Sequence, residues 1–237
     1  EDVIKENYGE EINAIAKVVK INQKDHAQGH ICPDTKTWLE LGPKGLMTKA
    51  YEKLKNCDEN QKEFYECTII VLEGVCHFMM RYHDYILTNL ASRSAQSFHE
   101  AVQSLWFLFV VLHMESNASS FSPGRMDQYL YPYYQKDIEK GIISKQEALE
   151  ILECLWLKFN QIVYLAIGGI DENGCNIYNE LSLLLLKAQY HLGLPQPNLS
   201  VRLNKNSSHE LIQEAIKVVA KGSGMPQFFN DEAIVNS

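Results

Sequence analysis

The chain has 237 residues, 46% of them hydrophobic and 22% charged, the profile of a folded globular protein rather than a disordered one. Acidic side chains outnumber basic ones 30 to 22, and the net charge of −8 offers no cationic footprint for phosphate-dominated nucleic-acid binding. The longest apolar run, Leu105 to Leu112, is far short of the ~20 residues a membrane span needs, and no signal-peptide pattern opens the chain, so a cytoplasmic protein is expected. The first residue is not methionine, which suits a chain that begins inside a longer polypeptide.

Near the N-terminus, Asn22 to His30 is a loop dense in hydrogen-bonding side chains. It holds His26-x3-His30-x-Cys32, residue types that bind metals, but Gly29 and Pro33 interrupt the helical register such a site needs, and no metal site is expected. The six cysteines form no C-x-x-C pair, and several lie among apolar neighbours; buried, reduced thiols are expected. From Asn60 to Leu90, Phe64, Cys67, Ile70, Val71, Val75, Phe78 and Met79 recur near a 3.6-residue period, which predicts a helix. Ser97 to Glu100 reads as a capping box opening a helix to about Met114, apolar nearly all round and therefore expected to be buried.

A second capping box, Ser144 to Glu147, predicts a helix to about Gln161; a third, Ser207 to Glu210, predicts one ending near Lys221 with Gly222 as its stop. Tyr178 to His191 fits a further helix, stopped by Gly193 and Pro195. Strands are few: Leu199 to Leu203 alternates with a period of two, and Gln227 to Phe229 is a second candidate. Strand, capped helix and strand predict a βαβ crossover, hence a parallel sheet with helices outside. Asp171-Glu172-Asn173-Gly174 lacks the spacing of a calcium loop and reads as a turn.

Three segments are polar for their setting: the Asn22 to His30 loop, Glu115 to Tyr129, and Gln196 to Arg202. A polar stretch beside a buried helix either finds internal partners or binds a ligand, because unpaired buried polar groups are costly. Residue chemistry alone leaves both open. No nucleophile elbow, phosphate loop or dinucleotide fingerprint is present.

Those segments nevertheless resemble a known family. Ser97-Phe98-His99-Glu100-Ala101 leading to Trp106-Phe107, then Glu115-Ser116-Asn117 and Ser122-Pro123-Gly124-Arg125-Met126-Asp127-Gln128-Tyr129, are followed by Gly168-Gly169 and Asn179-Glu180-Leu181-Ser182. Gln196-Pro197-Asn198-Leu199-Ser200-Val201-Arg202 and Gly224-Met225-Pro226-Gln227-Phe228-Phe229-Asn230-Asp231 complete the series, with Gly29-His30 and Asp34 upstream. In this order they resemble the glycyl radical enzymes of the pyruvate formate-lyase type, especially the glycerol and diol dehydratase branch.

The resemblance implies an α/β fold, part of a ten-stranded β/α barrel with a predominantly helical outer layer, residues 1–237 being its central portion. The family's catalytic cysteine loop and its C-terminal glycyl radical domain are not in this sequence; Cys32 and Cys175 do not match the thiyl position. Two junctions, near Ala91 to Gln96 and near Leu165 to Ala166, are short against the family pattern. Carried over by position, His30 matches a catalytic histidine that binds a substrate hydroxyl, while Asn22 and Ser120 match substrate-binding positions. Ser119 stands where the glycerol enzyme has a histidine and Ala118 where it has glycine, departures that count against glycerol itself. Arg125, Asp127, Gln128 and Arg202 are expected to be structural anchors.

By the same resemblance the parent protein is a lyase that eliminates water from a small diol or polyol. It binds no separate cofactor: a radical S-adenosylmethionine activating enzyme installs a protein glycyl radical outside this segment, and the protein is a homodimer. A C–S or C–N lyase, with Gln28, Ser119 and Lys24 shaping a different pocket, and a non-catalytic interaction module remain as alternatives.

Overall fold

A computed structural model of the chain describes residues 30–86, 93–116, 120–160 and 163–235. In chain order the elements are β1 (His30–Ile31), α1 (Thr35–Leu54), α2 (Glu59–Ile86), α3 (Phe98–Ser116), β2 (Ser120–Gly124), α4 (Met126–Tyr129), α5 (Tyr131–Glu139), α6 (Lys145–Lys158), β3 (Val163–Gly168), α7 (Glu180–Leu192), β4 (Asn198–Leu203), α8 (His209–Ala220), β5 (Gln227–Asn230) and α9 (Asp231–Val235). The strands form one parallel sheet in the order β1-β2-β3-β4-β5, each paired with its predecessor. Helices make every crossover, as parallel pairing requires.

The period-two alternation divides the sheet into two faces. Phe121, Val163, Leu165, Ile167, Leu199 and Val201 are buried and belong to the same core cluster as Phe98, Leu105, Trp156, Leu185 and Leu211 of the helices. The opposite face carries Tyr164, Ala166, Asn198, Ser200 and Arg202, all partly or well exposed. Under β2, the rings of Phe109 and Phe159 pack on Phe121 at centroid distances of 5.1 and 6.3 Å. Buried rings of this kind cost ~3–5 kcal/mol when truncated to alanine, so this cluster fixes the helical layer to the sheet.

Polar groups tie the layer together. Trp38 Nε1 donates to Ser104 Oγ at 2.9 Å, joining α1 to α3, and Trp156 Nε1 donates to Gln189 Oε1 at 2.8 Å, joining α6 to α7. The buried Asp137 carboxylate accepts from Phe98 N at 2.7 Å and so caps α3 from a neighbouring helix. Within α1 the chain kinks at Gly42, whose φ is +64°; a Cβ there would stand 2.5 Å from the backbone of Arg93, so glycine is required on both counts.

The predicted βαβ unit is present as β4–α8–β5, and the capping box at Ser144 and Glu147 is complete. Other expectations need correction. The helix expected from Asn60 starts at Glu59 and is described to Ile86. Beyond the buried side of α3, Met114 is 68% exposed and Trp106, Phe107 and Val110 are half-buried, so the helix is not covered all round. Glu100 accepts from Gln96 N rather than Ser97 N, because the chain turns one residue earlier; Ser97 Oγ still accepts from Glu100 N. Ser208, not Ser207, caps α8, since Ser207 Oγ is taken by Asn204 N. Helix α6 ends at Lys158, short of the Gln161 expected, and residues 163–168, through Leu165 and Ala166, form a strand that the sequence reading did not include.

The cysteine expectation holds in one respect only. None of the six forms a disulfide, but Cys76 alone is buried; Cys32, Cys67, Cys154 and Cys175 are exposed and Cys57 is half-buried. Cys67 and Cys154 occupy outward positions on α2 and α6, and Cys175 ends the Asp171 turn. That turn is as predicted: Asp171 Oδ1 accepts from Asn173 N and Cys175 N, with Gly174 at φ +76°.

Candidate functional site

Two regions of the sheet combine chemistry with position. The first lies across β1, β2 and β3. His30 and Ser120 are backbone register partners on β1 and β2, and Phe121 pairs with Val163, so Ser120 and Tyr164 occupy one face, the face away from the apolar core. Adjacent strands lie ~4.8 Å apart, which puts β1 and β3 about 10 Å from one another, the span of a small polyol with its hydrogen-bonding partners. Ser120 is buried, 1% exposed, whereas Tyr164 is 39% exposed. Of the carried-over residues, the sheet brings His30 and Ser120 together at the backbone level. Asn22 and Ser119 lie outside the described residues, as does His26, so neither the rest of the pocket nor the His26–His30–Cys32 spacing is placed. Tyr164 was missed from the sequence. Its strand is apolar at nearly every position, and only the register with β2 and β4 shows which side it faces.

Asp34, part of the upstream motif, is the N-cap of α1. Its carboxylate accepts from Thr37 at 3.1 Å, and hydrogen bonds from Thr37 hold its pKa below the usual carboxylate range.

The second region is the carboxyl-terminal rim, where β2 to β5 hand over to their loops and where open parallel sheets hold their sites. Here the polar motif residues pair with each other. Asp127 Oδ2 accepts from Gly168 N and from Ser182 Oγ, both at 2.8 Å, and Arg125 Nη2 donates to Gly168 O. Asn179 Nδ2 donates to Asp127 O at 2.7 Å while its own Oδ1 caps α7 by accepting from Ser182 N. Gln128 Nε2 donates to Ile177 O at 2.8 Å, and Arg202 Nε pairs with Asp231 Oδ1 at 2.6 Å. These partners match the anchoring role expected for Arg125, Asp127, Gln128 and Arg202.

Burial raises the pKa of Asp127, against the hydrogen bonds from Gly168 and Ser182 and the charge of Arg125, all of which favour its ionised form. Burial likewise lowers that of Arg125. Tyr129, whose hydroxyl donates to Pro123 O at 2.8 Å, is pushed well above the ordinary phenol value by burial.

Among the described residues no three His, Cys, Asp or Glu side chains gather as a metal site, and no helix is long and apolar enough to cross a membrane. A groove of about 890 Å³ lies between α2, α3 and α6, lined by Phe78, Tyr82, Trp106, Phe107 and Cys154, remote from both polar regions.

Comparison with known proteins converges on one family. The chain superimposes on the glycerol-bound B12-independent glycerol dehydratase of Clostridium butyricum with a TM-score of 0.83 and 29% identity, over 98% of this chain and 36% of that one. The hydroxyproline dehydratase of Clostridioides difficile, solved with trans-4-hydroxy-L-proline, superimposes with a TM-score of 0.77 and 28% identity over 99% of this chain and 36% of that one. In sequence, the isethionate sulfite-lyase of Nitratidesulfovibrio vulgaris is 30% identical over 247 aligned positions, covering 83% of this chain and 30% of the relative. The trans-4-hydroxy-L-proline dehydratase of Clostridioides difficile is 34% identical over 160 positions, covering 59% of this chain and 20% of the relative.

The chain thus spans between a fifth and about a third of these curated relatives. An alignment of 247 positions exceeds the 237 residues available, so that relative carries stretches without a counterpart here. The family model itself matches in two pieces, residues 1–87 and 84–237, which meet at the end of α2, just before the junction expected near Ala91 to Gln96 to be short. Since those two pieces account for every residue, the chain belongs to the pyruvate formate lyase-like family.

Proposed function

We propose that these residues are the substrate-facing part of a glycyl radical lyase that eliminates water from a small diol or polyol. The observation that carries this reading is the backbone pairing of His30 with Ser120 on adjoining strands, Ser120 lying on the face that also presents Tyr164. Relatives named as dehydratases, including one solved with glycerol and one with hydroxyproline, support it. The five-stranded sheet is then half of a ten-stranded β/α barrel, and the four exposed residues of β5 suit an edge that meets further strands.

A glycyl radical, carried on a residue outside this segment and installed by a radical S-adenosylmethionine activating enzyme, supplies the hydrogen abstraction. The residues here bind and orient. Hydrogen bonds from Ser120, Ser119 and Asn22 fix which substrate carbon faces the abstracting group, and Tyr164 closes the pocket on the β3 side. His30 holds the departing hydroxyl and delivers a proton to its oxygen, so that the C–O bond breaks with water as the leaving group. Homodimeric assembly in the cytoplasm belongs to the same proposal.

An anaerobic assay of the activated full-length protein against diols, hydroxyproline, choline and isethionate tests the reaction. Loss of water from a diol or hydroxyproline is the expected result; release of sulfite or of an amine, with no dehydration, overturns it. Sulfite release would favour a C–S lyase, a reading supported by the isethionate sulfite-lyases, which match 83% of this chain against 59% for the hydroxyproline dehydratase.

A further inference from the structure

Asp231 is fully buried and holds two elements at once. Its Oδ1 accepts from Arg202 Nε at 2.6 Å, and its Oδ2 accepts from Ile170 N at 2.8 Å. Gly169 lies beneath the carboxylate at φ +89°; a Cβ there would stand 2.6 Å from Asp231 Oδ2 and 3.1 Å from Arg202 Nε. Although Asp231 opens α9, that helix does not need it as a cap, because Asn230 Oδ1 already accepts from Glu232 N at 2.9 Å. The carboxylate is therefore spent on joining the end of β3, the end of β4 and the start of α9. Arg202 pairs in register with Gly168, which puts it on the same face as Ala166 and Ser200, at the rim of the face that presents Ser120 and Tyr164.

We propose that Asp231 and Arg202 act together as a positioning clasp. The clasp fixes the direction in which the chain leaves the sheet through α9, and so the set of the β3 and β4 ends at the rim of the Ser120–Tyr164 face. The proposal rests on the reading that this face meets the substrate. Neither residue touches the reacting atoms; both act through the backbone they hold.

The test uses the full-length activated protein carrying Asp231→Asn, Arg202→Ala or Arg202→Lys. Asparagine keeps the shape but replaces one of the two acceptors with a donor, which then faces Arg202 Nε or Ile170 N–H. Misplacement of a reacting group by about 1 Å costs ~10²-fold in rate, so Asp231→Asn and Arg202→Ala should lower kcat by about that factor with KM changed less than about twofold. Arg202→Lys, which keeps the charge, should recover part of the loss. Hydrogen exchange should quicken at Ile170 and in α9 but not in β2 or β3. Unchanged exchange at Ile170 and α9 in Asp231→Asn, or a rise in KM with kcat intact, overturns the clasp. The exchange measurement needs no substrate: if the wild-type protein dehydrates no diol, the functional reading falls while exchange still decides the clasp.

Discussion

Asp127 is a carboxylate whose charge is opposed by burial and favoured by its hydrogen bonds, and burial prevails: its pKa is raised. A raised value means that the folded state holds the proton more tightly than the unfolded chain does. The associated stabilisation is complete below the ordinary carboxylate range and is lost as pH climbs through the raised value. Asparagine can accept from Gly168 N and Ser182 Oγ through its one oxygen while shedding the charge. Asp127→Asn should therefore match or exceed the wild type in denaturant unfolding at pH 8 and lose that advantage at pH 4. Asp127→Ala, which strands both donors, should cost about 3 kcal/mol at pH 4 and less at pH 8, because it sheds the buried charge as well. His30 calls for the opposite pair of readouts. As a proton donor to the leaving group, His30→Ala should lower turnover by about 10²–10⁴-fold with little change in melting temperature. If the histidine only anchors its turn, truncation should instead cost ~1–3 kcal/mol with turnover preserved.

Helix α7 shows what a local pattern can conceal. Its N-terminus is closed by a reciprocal Asn179–Ser182 box, with serine where the usual template has glutamate or glutamine, so the motif was not read as a cap from the sequence. Asn179 also donates to Asp127 O, so Asn179→Ala should cost more than the ~1 kcal/mol of an ordinary cap, about 2 kcal/mol by urea unfolding. The strands divide in the same physical way. Leu199 and Val201 alternate with Ser200 and Arg202, and β4 was visible. Val163, Leu165 and Ile167 alternate with Tyr164 and Ala166, too apolar a mixture to show a period, and β3 is not among the strands expected from the sequence. In β2 the run Ser120-Phe121-Ser122-Pro123-Gly124 holds a single large apolar side chain, so it read as a polar loop. The candidate site was legible only through the order of motifs, because the register that sets His30 beside Ser120, and Ser120 on the face of Tyr164, comes from pairing between strands about 40 to 90 residues apart, which no spacing encodes.

At the scale of the whole molecule, β5 leaves Phe228 and Phe229 at 45% and 43% exposure on a strand paired on one side only among the described residues. Such an edge is a template for unintended pairing. The 237-residue chain expressed alone should self-associate in gel filtration, and Phe229→Lys should shift it toward monomer. Denaturing mass spectrometry of the source protein should find a polypeptide several tens of kilodaltons heavier than the 27.1 kDa of this chain, roughly as the 30–36% coverage of its relatives requires.

The order of the strands in the sheet is also their order in the chain. At a synthesis rate of ~5–20 residues per second, each strand emerges from the ribosome after the neighbour it will pair with. Strand β4 finds β3 already made, and β5 finds β4; none of β2 to β5 must wait for a later segment to supply its first partner. Assembly can therefore proceed by adding one strand and its covering helices at a time to a growing edge, and at each stage the outer edge of the newest strand waits for its second partner. Pauses in translation just after β2, β3 or β4 would prolong that exposure, making those points in the message the places where the nascent protein most needs protection.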